Sequence, residues 1–236
     1  MQKTTLAALI SATTLALTAC GGGGGGGSPS TASQNTGNNT GNTGNTGAAN
    51  VQSEFKDIPA RNLGRLVVNG VNIVLRQPGG FNVIAGDTVP IKDSQKTVVV
   101  GGTKYKAMRF GLLTDSKGQH TVFVHGVETK SMPTSGTVGY TGLYISCSED
   151  GIEERGLTGS VRLSADFGDT KKLTGTINTV GNKTYQIDAA ISGNQFKGTA
   201  ADNTYSEGRF YGDGAGEVGG IYKNGKLTGV FGGKKD

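Results

Sequence analysis

The chain has 236 residues, a formal net charge of +5 and 42 glycines, and it contains no tryptophan. This length allows one or two small domains, and abundant glycine without long helical periodicity predicts β-structure with many tight turns. The positive charge is concentrated in residues 51–130, where eleven basic residues face six acidic ones. This excess favours an acidic partner surface or an anionic ligand, with attraction to anionic lipopolysaccharide as the alternative. No basic run alternates with aromatic residues, which argues against nucleic acid.

Residues 1–19 resemble a bacterial lipoprotein signal peptide. Lys3 supplies a positive start, Leu6 to Leu17 form an apolar run too short to span a bilayer, and small residues precede Cys20. The resemblance implies that Cys20 is acylated and becomes the mature N-terminus; an ordinary secretory signal with a chance cysteine is the alternative. Gly21 is not the aspartate that retains lipoproteins at the inner membrane, so we expect a lipid anchor in the outer membrane.

Residues 20–50 carry the lipidated cysteine and a segment without any apolar cluster. Seven glycines are followed by serine, proline and threonine and then by repeated Asn-Thr-Gly motifs. Such a composition cannot bury enough surface to repay ordering, and it predicts a flexible tether. About thirty flexible residues have a root-mean-square reach of roughly 30 Å, enough to present a folded module above the membrane.

Residues 51–130 predict a small β-rich unit, here called the handle. Arg65 to Leu75 form an extended β-branched run, and short strands are predicted at Phe81 to Ala85 and Thr97 to Val100. A hairpin is predicted from Lys104 to Thr114 and from Gln119 to Glu128, with its turn at residues 115–118.

Residues 131–236 predict an eight-stranded antiparallel β-barrel, and Pro133 marks the boundary that precedes it. Val161, Leu163 and Ala165 alternate with polar residues, as does the run around Ile187, which is the period of half-buried strands. Large residues recur two positions before glycine, as in Leu173-Thr174-Gly175, and this alternation suits the narrow interior of a closed barrel. Counting strand-like runs from residue 139 to residue 232 gives eight strands.

The C-terminal motifs resemble those of a known barrel family. A Phe-Tyr-Gly at residues 210–212, a spaced Ala215 and Glu217, paired glycines, and Phe231-Gly232 are similar to the closing strands of transferrin-binding protein B-like barrels. The superfamily also includes factor H-binding protein and hemophilin. The resemblance implies an all-β surface lipoprotein whose barrel is largely scaffold and whose handle or barrel loops contact the ligand. It also implies a surface-lipoprotein translocation machinery as a partner.

The resemblance leaves two classes of host-derived ligand. One is haem, for hemophilin-like iron acquisition; the other is a host glycoprotein, such as transferrin or a complement regulator like factor H. The small basic handle favours haem, with an axial ligand from its two histidines or from a tyrosine, and basic residues on the propionates. Because the histidines are five residues apart on one predicted strand, they point to opposite faces and cannot ligate as a pair. The candidate ligands are His120, His125 and Tyr105, and the candidate propionate contacts are Lys104, Lys106 and Arg109. The haem would lie in an apolar cleft beside Met108, Phe110, Val122 and Phe123.

The remaining sequence motifs are explained by structural roles and not by catalysis or cofactor binding. Gly214, Gly216 and Gly219 match a dinucleotide fingerprint by letter, but that motif needs a strand-to-helix junction, whereas here strands are predicted. Glu217 is interpreted as a structural hydrogen-bonding residue. With Cys20 lipidated, Cys147 has no disulfide partner in the chain and is expected to be a buried small hydrophobe, with a reactive thiol as the alternative. No nucleophile elbow, zinc-protease motif or Cys-x-x-Cys is present, so we predict that the protein is not an enzyme.

Overall fold

The computed structural model of the chain describes residues 51–75, 88–92, 96–101, 104–148, 151–155 and 160–236. The predictions for the signal peptide, Cys20, the tether and the strand at Phe81 to Ala85 lie outside these residues. No helix in the described ranges is long and apolar enough to cross a membrane. The strands in those ranges are β1 (Val51–Asp57), β2 (Arg65–Val68), β3 (Val71–Val74), β4 (Thr88–Lys92), β5 (Lys96–Gly101), β6 (Met108–Asp115), β7 (His120–Gly126), β8 (Thr137–Ser148), β9 (Gly151–Arg155), β10 (Val161–Asp166), β11 (Lys172–Asn178), β12 (Thr184–Ser192), β13 (Gln195–Thr199), β14 (Tyr205–Tyr211), β15 (Glu217–Asn224) and β16 (Leu227–Lys235). Two three-residue 3-10 turns lie at Ala60–Asn62 and Asp213–Ala215.

The eight-stranded antiparallel barrel is confirmed. Strands β10 to β16 pair in chain order, and β8 closes the ring by pairing with both β16 and β10. Along β10, Val161, Leu163 and Ala165 are buried in the barrel interior, because inward side chains recur every second residue. Strand β9, which the sequence did not predict, pairs with the end of β8 and with no other described strand. The interior also contains Tyr140, Tyr144, Leu173, Ile177, Ile187, Phe196, Phe210, Val218, Tyr222 and Phe231.

Five strands form a second sheet, the handle sheet, in the order β1-β7-β6-β5-β4. The predicted hairpin is its β6–β7 pair, although β6 begins at Met108 rather than at Lys104. The turn closes with a hydrogen bond from Gly118 N to Asp115 O. Strand β1 lies parallel to β7, with Val51 opposite His120 and Asp57 opposite Gly126.

The sequence predicted one extended run from Arg65 to Leu75. The structure corrects this prediction, because the segment folds into the β2–β3 hairpin. The turn is made by Asn69 and Gly70, with φ of 45° and 77°. Positive φ at both central residues is the conformation that Asn-Gly favours in two-residue hairpin turns. The run of β-branched residues on either side masked this turn signal in the sequence.

The handle sheet is buried on both faces, since the hairpin covers one and the outer wall of the barrel covers the other. On the hairpin side, Leu66, Val68 and Ile73 pack with Phe123. On the barrel side, the core joins two groups of side chains. Its members include Val99, Phe110, Leu112, Val122 and Val124 from the handle sheet, and Leu143, Ile145, Cys147, Tyr211, Ile221 and Val230 from the barrel. Cys147 is buried in this shared core, as the sequence predicted for a small hydrophobic side chain.

Candidate functional site

Both histidines are buried and hydrogen-bonded within the handle. His120 begins β7, and its Nδ1 lies 2.9 Å from Thr114 Oγ1. His125 is 1% exposed, and its Nε2 lies 2.8 Å from Glu54 Oε1. Burial lowers the pKa of His125, while its hydrogen bond to Glu54 acts in the opposite direction. Each ring therefore has a polar protein partner, and both side chains lie on a strand that is buried throughout.

The other predicted haem contacts lie at the start of β6. Tyr105 precedes that strand instead of lying on it, is fully buried, and donates its hydroxyl hydrogen bond to Gly232 O over 2.8 Å. Arg109 donates to the carbonyl oxygens of Tyr105 and Met108, so its guanidinium folds back onto its own segment. Lys106 is exposed and Lys104 is half-buried, 5.6 Å from the centre of the Tyr105 ring.

Apolar residues predicted beside the haem are divided between two cores. Met108, Phe110 and Val122 belong to the core on the barrel side of the handle sheet. Phe123 belongs to the core beneath the β2–β3 hairpin. Because neighbouring residues of a strand point to opposite faces, Val122 and Phe123 cannot line one cleft. Among the described residues, no group of three or more His, Cys, Asp or Glu side chains could hold a metal ion.

Glu217 joins the handle to the barrel by its carboxylate. Its oxygens accept hydrogen bonds from the backbone N–H groups of Lys106, Ala107 and Met108 over 2.5, 3.0 and 3.0 Å. The side chain is 4% exposed. Burial raises the pKa of Glu217, while the three N–H donors and Arg109 act to lower it. These contacts give Glu217 the structural hydrogen-bonding role expected from the sequence.

A groove of about 310 Å³ lies where β1 passes the outer wall of strands β12 to β14. We call it the seam groove. Ser53 and Phe55 of β1 form one wall. Two rows of paired barrel residues form the other: Ala190, Lys197 and Glu207, then Ser192, Gln195 and Arg209. These rows follow from the pairing register of β12, β13 and β14, because residues opposite one another on neighbouring strands share a face of the sheet.

The charged side chains at the seam groove are compensated. Arg209 forms an ion pair with Glu128, whose other oxygen accepts from Asn194 Nδ2 over 2.9 Å. The Arg209 guanidinium also lies 5.5 Å from the centre of the Phe55 ring, which is a cation–π geometry. Lys197 lies 4.0 Å from Glu207, which accepts the hydroxyl hydrogen bond of Tyr205. The groove therefore combines small and aromatic surfaces with paired charges.

One end of the groove is secured by Asp57. Its carboxylate accepts from Glu128 N over 3.0 Å and from Lys130 Nζ over 2.6 Å. Although burial acts to raise it, these hydrogen bonds keep the pKa of Asp57 below its ordinary value. The contacts fix the segment after β7 against β1, which positions Glu128 to meet Arg209.

No motif in the sequence indicates the residues of the seam groove. Arg209 lies within the C-terminal motif, but no local pattern relates it to Phe55, which is distant in sequence. Ala190 and Ser192 show only the polar or small character of an outward-facing strand position. Their common feature is the register of β12 to β14, which becomes visible only once the barrel is closed.

Comparison with known proteins identifies the type of barrel. Residues 132–235 match the family model for the C-lobe and N-lobe β-barrels of transferrin-binding protein B. The crystal structure of isotype 1 transferrin binding protein B from serogroup B Neisseria meningitidis superposes with a TM-score of 0.59 at 23% identity, covering 77% of this chain and 41% of that one. Intact Ap-TbpB gives a TM-score of 0.53 at 24% identity, over 73% of this chain and 41% of that one. At such identities the likeness establishes the fold.

Two relatives are more similar in sequence. An uncharacterized protein of Haemophilus influenzae is 35% identical over 196 residues, which are 74% of this chain and 66% of that protein. The Neisserial heparin binding antigen of N. meningitidis serogroup B is 27% identical over 165 residues, which are 65% of this chain and 34% of that protein. The matched region thus spans less than two thirds of each relative.

Proposed function

We propose that this chain, whose residues 132–235 match the family model for the β-barrels of transferrin-binding protein B, is a lipid-anchored protein of the bacterial surface that binds a host macromolecule. Binding rather than catalysis is supported by relatives named for the transferrin or heparin that they bind. The signal-like segment before Cys20 and the tether-like composition of residues 20–50 support display at the outer membrane.

The seam groove is the observation on which this proposal most depends. It lies where the handle sheet meets the barrel, is lined by residues from both, and combines aromatic, small and hydrogen-bonding groups. Protein-binding surfaces commonly combine aromatic and arginine side chains in this way. A host protein that docked there would contact both sheets at once. We propose a host glycoprotein, such as transferrin or a complement regulator, as this partner.

Surface display and partner binding can be tested on intact cells that express the full chain. We expect external protease to remove the protein, and labelled transferrin or factor H to bind before that treatment but not after it. Cells that express Cys20→Ala serve as the control, since an unlipidated chain should not remain attached. Survival of the protein on intact cells, with cleavage only after permeabilisation, would place it in the periplasm and refute the proposal.

Haem, the ligand that the sequence favoured over a host glycoprotein, has a separate test. Haem binding would require a histidine or tyrosine to leave its present partner, because Glu54, Thr114 and Gly232 O already engage the candidate ligands. The residues that line the seam groove include no His, Cys, Met or Tyr. Hemin titration of the full chain should give no saturable Soret shift. A Soret shift that is lost in His120→Ala or His125→Gln would instead establish haem as the ligand.

A sulfated polysaccharide is a second candidate, favoured by the name of the Neisserial relative and by the basic handle. Lys106 N donates to Glu217, and Glu217 pairs with Lys234 between β15 and β16, so the backbones of two exposed lysines lie near Glu217. On a heparin column, Lys106→Glu with Lys234→Glu should elute at lower salt than the control pair Lys183→Glu with Lys226→Glu. Equal elution of the two pairs would remove this candidate.

A further inference from the structure

Strand β1 presents an open edge beside the seam groove. It ends the handle sheet, and its far edge pairs with no strand in the part of the chain that the structure describes. Ile58 N donates to Gly126 O over 2.8 Å, which fixes the direction of the amides along β1. Because amides alternate in direction along a strand, the N–H groups of Ser53 and Phe55 point away from β7. These two residues also line the groove.

The charged side chains of Glu54 and Lys56 in β1 do not protect this edge from pairing, and Asp57 lies at its end, bound to Glu128 N and Lys130. Edge strands are usually protected from pairing by charges, prolines or bulges. Glu54 and Lys56 are instead held on the hairpin side of the sheet. Glu54 accepts from Asn69 N over 2.9 Å and pairs with His125, and Lys56 Nζ donates to Val67 O over 2.9 Å. The edge is therefore chemically open, although the strand carries charges.

The opposite wall of the groove is lined in part by small side chains. Ala190 and Ser192 present small side chains there, and the paired charges at Arg209 and Lys197 leave no strong net charge in the groove. An ionic ligand would gain little from such a surface. The uncharged N–H and C=O groups of an extended backbone match what the edge offers.

We propose that β1 is a docking edge for an extended segment of a partner protein, which adds a sixth strand to the handle sheet and places alternate side chains in the seam groove. This inference deepens the proposed function, on which it rests, by giving the mode of binding and the class of partner. Main-chain hydrogen bonds to the residues of β1 that include Ser53 and Phe55 would supply affinity, and the small residues of β12 would select the side chains.

A library of random twelve-residue peptides displayed on phage provides a probe that requires no known partner. Peptides selected on the full chain are then synthesised and titrated by fluorescence anisotropy. Ser53→Pro removes an N–H that β7 does not use, and Ser192→Tyr fills the groove. We expect each change to weaken peptide binding at least about tenfold, a difference of about 1.4 kcal/mol. Thr174→Tyr, on an exposed barrel position outside the groove, should leave binding unchanged.

Methylation of alternate peptide amides adds a readout that does not depend on protein stability. In one register it should abolish binding, and in the other it should have little effect, as strand pairing requires. The edge assignment fails if no peptide is selected, or if Ser53→Pro binds as tightly as the wild type. It also fails if Ser53→Pro dissolves a dimer of the full chain, or if peptides bind only after deletion of residues 21–50. If Ser53→Pro and Ser192→Tyr both leave host-protein binding on cells unchanged, this inference is refuted. The proposed function is not affected by that result.

Discussion

At the level of single residues, Glu217 illustrates a buried carboxylate that serves the fold. Glu217 lies within the motif Gly214-x-Gly216-x-x-Gly219, which in dinucleotide-binding proteins leads into a helix. Here a 3-10 turn and strand β15 occupy that position. The carboxylate accepts hydrogen bonds from three consecutive N–H groups at the start of β6. Its burial is therefore explained by hydrogen bonding and not by catalysis.

Replacing Glu217 with alanine should destabilise the protein strongly. Each buried N–H left without a partner costs about 1–3 kcal/mol, so the loss of three acceptor contacts should lower the free energy of unfolding by about 3 kcal/mol or more. Urea unfolding monitored by circular dichroism measures this change. Glu207→Ala, at a half-buried position on the barrel wall, is the control and should cost far less. If Glu217→Ala lowered the free energy of unfolding by less than about 1 kcal/mol, the stabilising role of these three hydrogen bonds would be contradicted.

Acidification should weaken the fold through Glu54 and His125. Although burial acts to raise it, hydrogen bonds from His125, Lys56 and Asn69 N lower the pKa of Glu54 to about 2. The ionised carboxylate of Glu54 stabilises the folded state fully above the ordinary pKa of 4.5. This stabilisation is lost as the pH falls towards 2. Burial lowers the pKa of His125 from 6.5, so the unfolded histidine takes up a proton first and stability also falls below that pH.

Urea midpoints measured at about pH 7.5, 5.5 and 4 test this pH dependence. The wild type should be more stable than Glu54→Gln at neutral pH. In a His125→Gln background, which removes the coupled titration of the histidine, the advantage of Glu54 over the Glu54→Gln change should shrink as the pH falls below 4.5. Glu207→Gln removes the same charge outside this network and provides the comparison. A difference that grows below pH 4.5 in the His125→Gln background would show that Glu54 does not hold a lowered pKa in the folded protein.

At the level of strands, the paired glycines serve two different faces. A side chain at Gly219 would meet Val124 and Met108 of the handle sheet, whereas one at Gly220 would meet Phe196 and Phe231 inside the barrel. The pair in β16 works in the same way: Gly232 faces Phe110 of the handle, and Gly233 faces Tyr140 and Val218. The sequence explained glycines by the taper of the barrel. The structure adds that half of each pair makes room for the handle.

Adding one methyl group at Gly232 should disturb the contact between handle and barrel. A Cβ there would lie 2.1 Å from Phe110 Cε1, so the ring or a strand must move, and overpacking of this kind costs about 1–3 kcal/mol. Phe110→Leu in the same chain should recover part of that loss, which a double-mutant cycle would detect. At Gly216 the nearest atom would be 3.3 Å away, and Gly216→Ala should have a smaller effect. Additive effects of Gly232→Ala and Phe110→Leu would refute the contact.

The sequence predicted the barrel better than it predicted the site. Alternation in β10 and β12 is local, so Val161 and Ile187 could be assigned to an interior without knowledge of the fold. Strand β1 has no such alternation, because its apolar residues Val51 and Phe55 are four apart, and its parallel pairing with β7 spans about seventy residues. The seam groove depends on this long-range pairing and on the register of three barrel strands. No short window of sequence contains that information.

At the level of the whole molecule, the handle and the barrel share a core. Leu143, Ile145 and Cys147 point out of the barrel, where a soluble barrel alone would expose them, and they are buried by the handle sheet. All the described residues fall within one compact unit. The division at residues 130–131 therefore stays a prediction about sequence segments. Burial of apolar surface across the seam favours unfolding of both sheets in one transition.

The predicted tether should matter for access to partners and not for stability. Deleting residues 28–50 keeps Cys20 and the folded unit but removes most of the roughly 30 Å of reach that separates the module from the membrane. We expect an unchanged thermal midpoint in solution, weaker binding of a large host protein on intact cells, and slower removal by external protease. Replacement by a glycine-serine segment of equal length should restore both, because flexibility depends on composition rather than on exact sequence. Equal binding by the deleted and the full-length chain on cells would refute a presenting role for this segment.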